Sequence, residues 1–176
     1  MSEIEEFRKK KDQYFGGSDD SPLTPEQRKR FAGLEYFPED PELQFLLTVE
    51  EFSEGEKEVI EIATSTGDSA PHLRWGQFKF EIDGVALALT VYKDVDGGEY
   101  FLPFKDATTG NESYATGRYL DLSDTGDGRL VLDFNYAYNP YCAYNPQWSC
   151  PIAPAENRLS VAVRAGEKVY PDQLDH

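Results

Sequence analysis

The sequence predicts a mainly β protein, an antiparallel β barrel or strongly curved sandwich of roughly eight to ten strands with N-terminal helices ahead of it. Three observations carry that expectation. Residues 77–91 alternate apolar and polar side chains on both sides of one turn pair, Asp83 and Gly84. A second glycine-rich turn, Asp96, Gly97 and Gly98, leads straight into another apolar run, Tyr100 to Phe104. Two helix-capping signals mark the N-terminal segment, residues 1–40, as helical and loop-rich.

Taken in chain order, the first element is a helix that begins at a capping box. The Ser2 hydroxyl is placed to accept from the amide of Glu5, and the Glu5 carboxylate to reach back. The helix should run to about Tyr14 or Phe15 and stop at Gly16 and Gly17. Ile4, Phe7, Tyr14 and Phe15 give it one apolar side. Thr24 and Gln27 repeat the capping logic with Pro25 at the first helical position, and this shorter helix should end near Gly33. Residues 1–40 are thus expected as a helical extension packed on the core, and residues 41–170 as the antiparallel β domain.

Strands are expected at Leu43 to Val49 and Val59 to Thr64, joined by an acidic turn around Gly55, with a further turn from Ser65 to Ser69. The Asp83-Gly84 turn then sets a register. It places Ile82 opposite Val85, Phe80 opposite Leu87 and Phe78 opposite Leu89, with all six on one face. A turn at Asp96 and Gly97 puts Val91 opposite Leu102 and Leu89 opposite Phe104, again on that face. Three strands sharing one apolar side require a second layer or closure to cover it. Further strands are expected at Tyr114 to Leu122, Arg129 to Phe134 and Arg158 to Arg164, with a turn from Asp124 to Gly128.

The chain has 176 residues, enough to bury one core without staples. The formal net charge of -16 argues against nucleic acid and anionic membrane surfaces as partners, because phosphate binding needs clustered Lys and Arg. There is no apolar signal segment and no transmembrane run, so a cytoplasmic location with Cys142 and Cys150 reduced is expected. The acid is scattered along the chain, which suits a halophile-type surface. The Debye length falls from about 10 Å at 0.1 M salt to about 3 Å at 1 M, so self-repulsion is screened at high salt. Thermal unfolding should therefore move to higher temperature on raising KCl from about 0.1 M to about 1 M. A melting temperature indifferent to salt rules that adaptation out.

Two stretches concentrate polar and aromatic residues. Phe104 to Asp121 holds Asp106, Thr108, Glu112, Tyr114 and Arg118, with Gly110 and Gly117 as bends. Asp133 to Asn157 holds Asn135, Tyr138, Asn139, Tyr141, Trp148, Glu156 and Asn157, with prolines at 140, 146, 151 and 154 and no strand or helix period. A long irregular connection inside a compact domain is usually functional when it is ordered. Tyrosine and asparagine supply flat apolar faces and adaptable donors and acceptors.

The second half of the chain, from Phe101 to Lys168, resembles an uncharacterised prokaryotic family, domain of unknown function 1684. The resemblance rests on Phe104, Asp106 and Thr108 with Gly110, on Tyr114, and on the run Gly117, Arg118, Tyr119, Leu120 and Asp121. It continues through Leu132 to Asn135, Ala137 to Tyr144, Ser149 to Pro151, Glu156 and Asn157, and Ala165 to Lys168. Gly33 to Pro38 and Pro41 extend it upstream. The resemblance implies no activity, and no catalytic residue is carried over from it.

The leading functional expectation is a small polar or anionic ligand held between the Asp106 to Arg118 segment and the Asp133 to Asn157 loop. Arg118 is its anchor and Tyr138, Tyr141 and Trp148 are its walls. The alternative is a hydrolase using a carboxylate pair drawn from Asp106, Glu112, Asp133 and Glu156, with or without a divalent metal. Against each stands a structural role. An inward Arg118 pairs equally well with a carboxylate of the protein, Asp106 with Thr108 suits an Asx turn, and the aromatic loop suits a plug over the end of the barrel. Cys142 and Cys150 lack zinc-ligand spacing, and His72 and His176 are the only imidazoles, so free thiols or a local disulfide are favoured over a metal pair or a Cys nucleophile.

Overall fold

The computed structural model describes residues 1–96 and 98–172. The two capping boxes form as expected. Ser2 and Thr24 each accept from the amide three residues on, while Glu5 and Gln27 return the bond. Helix α1 spans Glu3–Gly17 and α2 spans Pro25–Arg30. Helix α2 stops three residues short of Gly33, at Phe31, whose ring packs with Phe15 and Tyr170.

The strands are β1 (Gln44–Thr48), β2 (Glu50–Glu51), β3 (Val59–Ala63), β4 (Ser69–Ile82), β5 (Val85–Lys93), β6 (Tyr100–Phe104), β7 (Arg118–Leu120), β8 (Ser123–Asp124) and β9 (Arg129–Asp133). All the strand pairings are antiparallel. They form two sheets. The larger runs β2-β4-β5-β6-β7 with β3 also on β4, and the smaller runs β1-β9-β8. The sheets do not close into a barrel, and the sandwich-like arrangement is the one adopted.

The β4–β5 hairpin has the register that its turn dictates. Asp83 and Gly84 both take positive φ, at 52° and 78°, and Ile82, Phe80 and Phe78 pair with Val85, Leu87 and Leu89. Only the tip departs from the expected buried face. Val85 is 39% exposed, although Ile82 across from it is buried. Between β5 and β6, Tyr92 pairs with Phe101 and Lys93 with Tyr100, the register that sets Val91 across from Leu102. Gly97, half of the expected turn pair there, lies outside the described residues.

The core fills the space between the sheets. Phe78, Leu89, Val91, Leu102 and Phe104 from the larger sheet meet Leu130, Leu132 and Phe134 from the end of the smaller one. Phe134 is the hub, with ring contacts to Phe45, Phe80 and Phe104. Leu159, Val163 and Ala165 line the third side, with Val161 packed against the same core. A second aromatic cluster, Phe15, Leu23, Tyr144 and Tyr170, ties α1 to the irregular loop.

Two expected strands are corrected. Residues 114–117 form a turn rather than the start of a strand, because Gly117 takes φ 100° and a Cβ there would lie 2.6 Å from the Phe104 carbonyl. The 158–164 segment is extended and alternates as expected, but it belongs to no sheet. It meets residues 105–107 through a parallel bridge of Lys105 with Arg158 and through bonds from the Leu159 amide to the Lys105 carbonyl and from the Ala107 amide to the Val161 carbonyl, and beyond these its backbone is gripped by side chains, as described next.

Candidate functional site

Arg118 is 1% exposed. Its Nη1 donates to the carbonyls of Ala165 and Glu167, and its Nη2 to the carbonyl of Val163 at 2.9 Å. The Asp106 carboxylate lies 3.6 Å from Nη2 and is itself wholly buried. Asp106 also accepts from the Val163 amide at 2.6 Å and from the hydroxyls of Thr108 and Thr109. Burial pulls the Arg118 pKa down, and Asp106 and Glu167 oppose that pull. The pair therefore takes the place of a neighbouring strand for residues 163–165, a planar fork supplying donors where a ladder would supply amides, while 166 and 167 have backbone partners in Phe37 and Ala137. Arg118 is not the ligand anchor expected of it, since its donors face the chain's own carbonyls.

The asparagines do the same kind of work. The β5–β6 pairing stops at Tyr92 and Phe101; continued by two residues, its register would set Thr90 across from Pro103, which has no amide hydrogen to complete the ladder. Asn157, fully buried, fills the gap. Its Oδ1 accepts from Thr90 N at 2.8 Å and its Nδ2 donates to the carbonyls of Thr90 and Pro103, each at 2.8 Å. Asn135 matches both backbone groups of Asp40, accepting at 2.8 Å and donating at 2.9 Å. Asn139 donates from its side chain to the Lys168 carbonyl and from its backbone to the Glu167 carboxylate. Glu167 in turn accepts from the Tyr144 hydroxyl at 2.6 Å and pairs with Lys11 of α1.

The other carboxylates proposed for acid-base work are each held separately. Glu112 makes a bidentate pair with Arg164 at the surface, both bonds 3.0 Å. Glu156 makes one with Arg74 and accepts from Tyr92. Burial works to raise the Glu156 pKa, but Arg74 and Tyr92 together bring it below the usual value. Tyr114 packs with Cys142, Ala143, Trp148 and Cys150. The two cysteines are thiols that touch each other, and that contact together with burial pushes the Cys150 thiol far up, so it stays protonated. Trp148 donates to the Pro22 carbonyl and meets Tyr141 edge-on at 5.4 Å. His72 is buried on β4 and stacks on Phe101 at 5.2 Å.

Arg118 and Asn135 therefore share no pocket, but the two stretches do meet. Tyr119 and Tyr138 exchange backbone hydrogen bonds, and the Tyr138 hydroxyl donates to Asp121 at 2.9 Å. At that junction a half-open cleft of 680 Å³ lies between α1 and the smaller sheet. Asp133 and Tyr138 line it, joined by Glu3, Glu6, Phe7 and Lys10 from α1 and by Asp121 and Tyr136. A smaller hollow of 210 Å³ shares Glu3, Gln44, Asp133 and Tyr136 with the cleft and reaches Asn135. Sequence reasoning missed Glu3, Glu6, Phe7, Asp121 and Tyr136. The signal available was Phe7, a large apolar residue on α1 that is 42% exposed.

Among the described residues no helix is long and apolar enough to cross a membrane. The sequence has no match among curated proteins. A solution NMR structure of an uncharacterized protein from Haloarcula marismortui is similar, with 37% identity, a TM-score of 0.69, and coverage of 94% of this chain and 91% of that one. Residues 29–168 match the family model described as Protein of unknown function (DUF1684), and the chain belongs to that family.

Proposed function

We propose that the protein is a binding module for a small polar ligand, held in the cleft between α1 and the smaller sheet. The observation that carries the reading is the lining. Glu3, Glu6, Asp121 and Asp133 surround an aromatic wall, and among the described residues none of the four makes an ion pair. Phe7 and Tyr136 form that wall, edge to face at 4.9 Å. Carboxylates beside aromatic faces suit an organic amine, which gains both ion pairing and cation–π attraction. With Lys10 as the one cation among the described residues that line the cleft, the sign of the site disfavours an anion there.

Diamines such as putrescine and cadaverine are the probes, with glutarate as the anionic control of similar length. The amines should raise the melting temperature by mass action and glutarate should not. Asp133→Asn keeps the oxygen that accepts from Asn135, so the fold is retained while the cleft loses a charge. In that variant the amine affinity should fall about tenfold, the loss of one partly buried charge contact. No shift with either diamine, or an equal shift in wild type and variant, removes the reading.

A further inference from the structure

The outer edge of β5 is unpaired near the hairpin tip. Its pairs with β6 are Tyr92 with Phe101 and Lys93 with Tyr100, and they go no further. Asp83 and Gly84 make a two-residue turn, so Val85, Leu87 and Leu89 exchange hydrogen bonds with β4. The amides and carbonyls of Ala86, Ala88 and Thr90 therefore point away from β4. At Thr90 both groups are met by Asn157. Lys105, which the β5–β6 register would set across from Ala88, bonds to the backbone of Asn157 and Leu159 instead. Ala86 and Ala88 have no outward backbone partner among the described residues.

A bare strand edge is normally protected by a charge, a proline or a bulge. The run from Val85 to Leu89 has none of them. Ala86 and Ala88 are exposed and Leu87 is half-buried. A hollow of 470 Å³ at the hairpin is lined by Lys79, Phe80, Glu81, Ala86, Leu87 and Ala88 alone among the described residues.

The charges beside the edge indicate its partner. Lys79 stands beside Ala88 and Glu81 beside Ala86. Lys79 touches Glu50 at 3.4 Å, an exposed pair too loose to commit it. A second β5, antiparallel and related by a two-fold axis at Leu87, sets Ala86 across from the partner's Ala88. Each cross-strand row then runs Glu81, Ala86, the partner's Ala88 and the partner's Lys79, with opposite charges at its ends and only methyl groups between. Moving the axis to Ala86 or to Ala88 ends a row on like charges, which repel. Charge thus selects the register centred on Leu87. The same register uses the whole free stretch between the turn at Gly84 and the Asn157 bridge at Thr90, and it brings the two Leu87 side chains together at the axis.

We infer that the protein pairs with a second copy of itself through the β5 edge, as an antiparallel two-fold dimer centred on Leu87. None of the residues lining the α1 cleft takes part. The net charge of -16 opposes self-association, and salt at about 0.15 M screens charges more than about 8 Å apart while those meeting across a row still act.

Sedimentation velocity of the full chain at that salt, from micromolar to near-millimolar protein, should show a monomer–dimer equilibrium. Ala88→Pro removes one outward amide without touching the β4 ladder, so the dimer should be lost while the dilute monomer keeps its melting temperature. Glu81→Lys leaves the backbone intact and faces the partner's Lys79 with a like charge, so the dimer Kd should rise about tenfold. Adding Lys79→Glu to it reverses both ends of every row and should bring the Kd back to the wild-type value. If the proline loosens the hairpin, the charge variants decide alone. A monomer throughout the concentration range overturns the inference. A dimer unweakened in Ala88→Pro, or a charge-swapped variant no tighter than Glu81→Lys, also overturns it, because either result puts the contact elsewhere.

Discussion

Replacing Arg118 with Met should cost about 3–5 kcal/mol of stability, the usual consequence of removing one partner of a buried ion pair. The substitution strands the Asp106 carboxylate at zero exposure and leaves the carbonyls of Val163, Ala165 and Glu167 without their donors. For a chain of this size the melting temperature should fall by roughly 10 °C or more. Residues 163–165 should loosen first, because the side chains of Arg118 and Asp106 hold them where a strand would otherwise lie. The double variant Arg118→Met with Asp106→Leu should recover part of the loss, since the orphaned charge goes with its partner. A melting temperature within about 2 °C of wild type, well under the shift expected for a kilocalorie-scale change, would show that the pair does not hold this segment.

Asn157→Ala should be the other large loss, about 3 kcal/mol or more, because three buried backbone groups lose their only side-chain partner. The effect is local and has its own readout. The Thr90 amide donates to Asn157 Oδ1, so its hydrogen exchange should accelerate by at least about tenfold, the equivalent of one lost net hydrogen bond. Asn157→Asp keeps the acceptor, removes both donations and adds a buried charge, so it should be worse than alanine. Unchanged protection of Thr90 in either variant would falsify the view that Asn157 bridges β5 and β6 in place of the missing Pro103 amide.

Both residues were read from the sequence as candidates for ligand binding, and the structure gives each a strand-like duty within the chain. The reason is chemical. An inward arginine or asparagine has the same donors and acceptors whether it meets a ligand or a carbonyl. The residue type signals a demand for partners without saying where they come from. The partners here are remote, with Arg118 and Val163 separated by 45 positions, Asn157 and Thr90 by 67, and Asn135 and Asp40 by 95. The 158–164 segment is the same lesson for the backbone. Its alternation of inward Leu159, Val161 and Val163 identified an extended segment, while its partners are the backbone of residues 105–107 and, at Val163, the side chains of Asp106 and Arg118.

The sequence by itself determined what is settled over a few neighbouring residues. A Ser or Thr three positions before Glu or Gln started both helices, and an Asp-Gly pair that tolerates positive φ set the β4–β5 register down to the residue. Only the tertiary structure decided that the sheets stay open as a sandwich and that Arg118 and Asn157 stand in for missing strand partners. Those outcomes turn on which distant groups are within hydrogen-bonding reach. That is a property of the packed chain, and local pattern does not carry it.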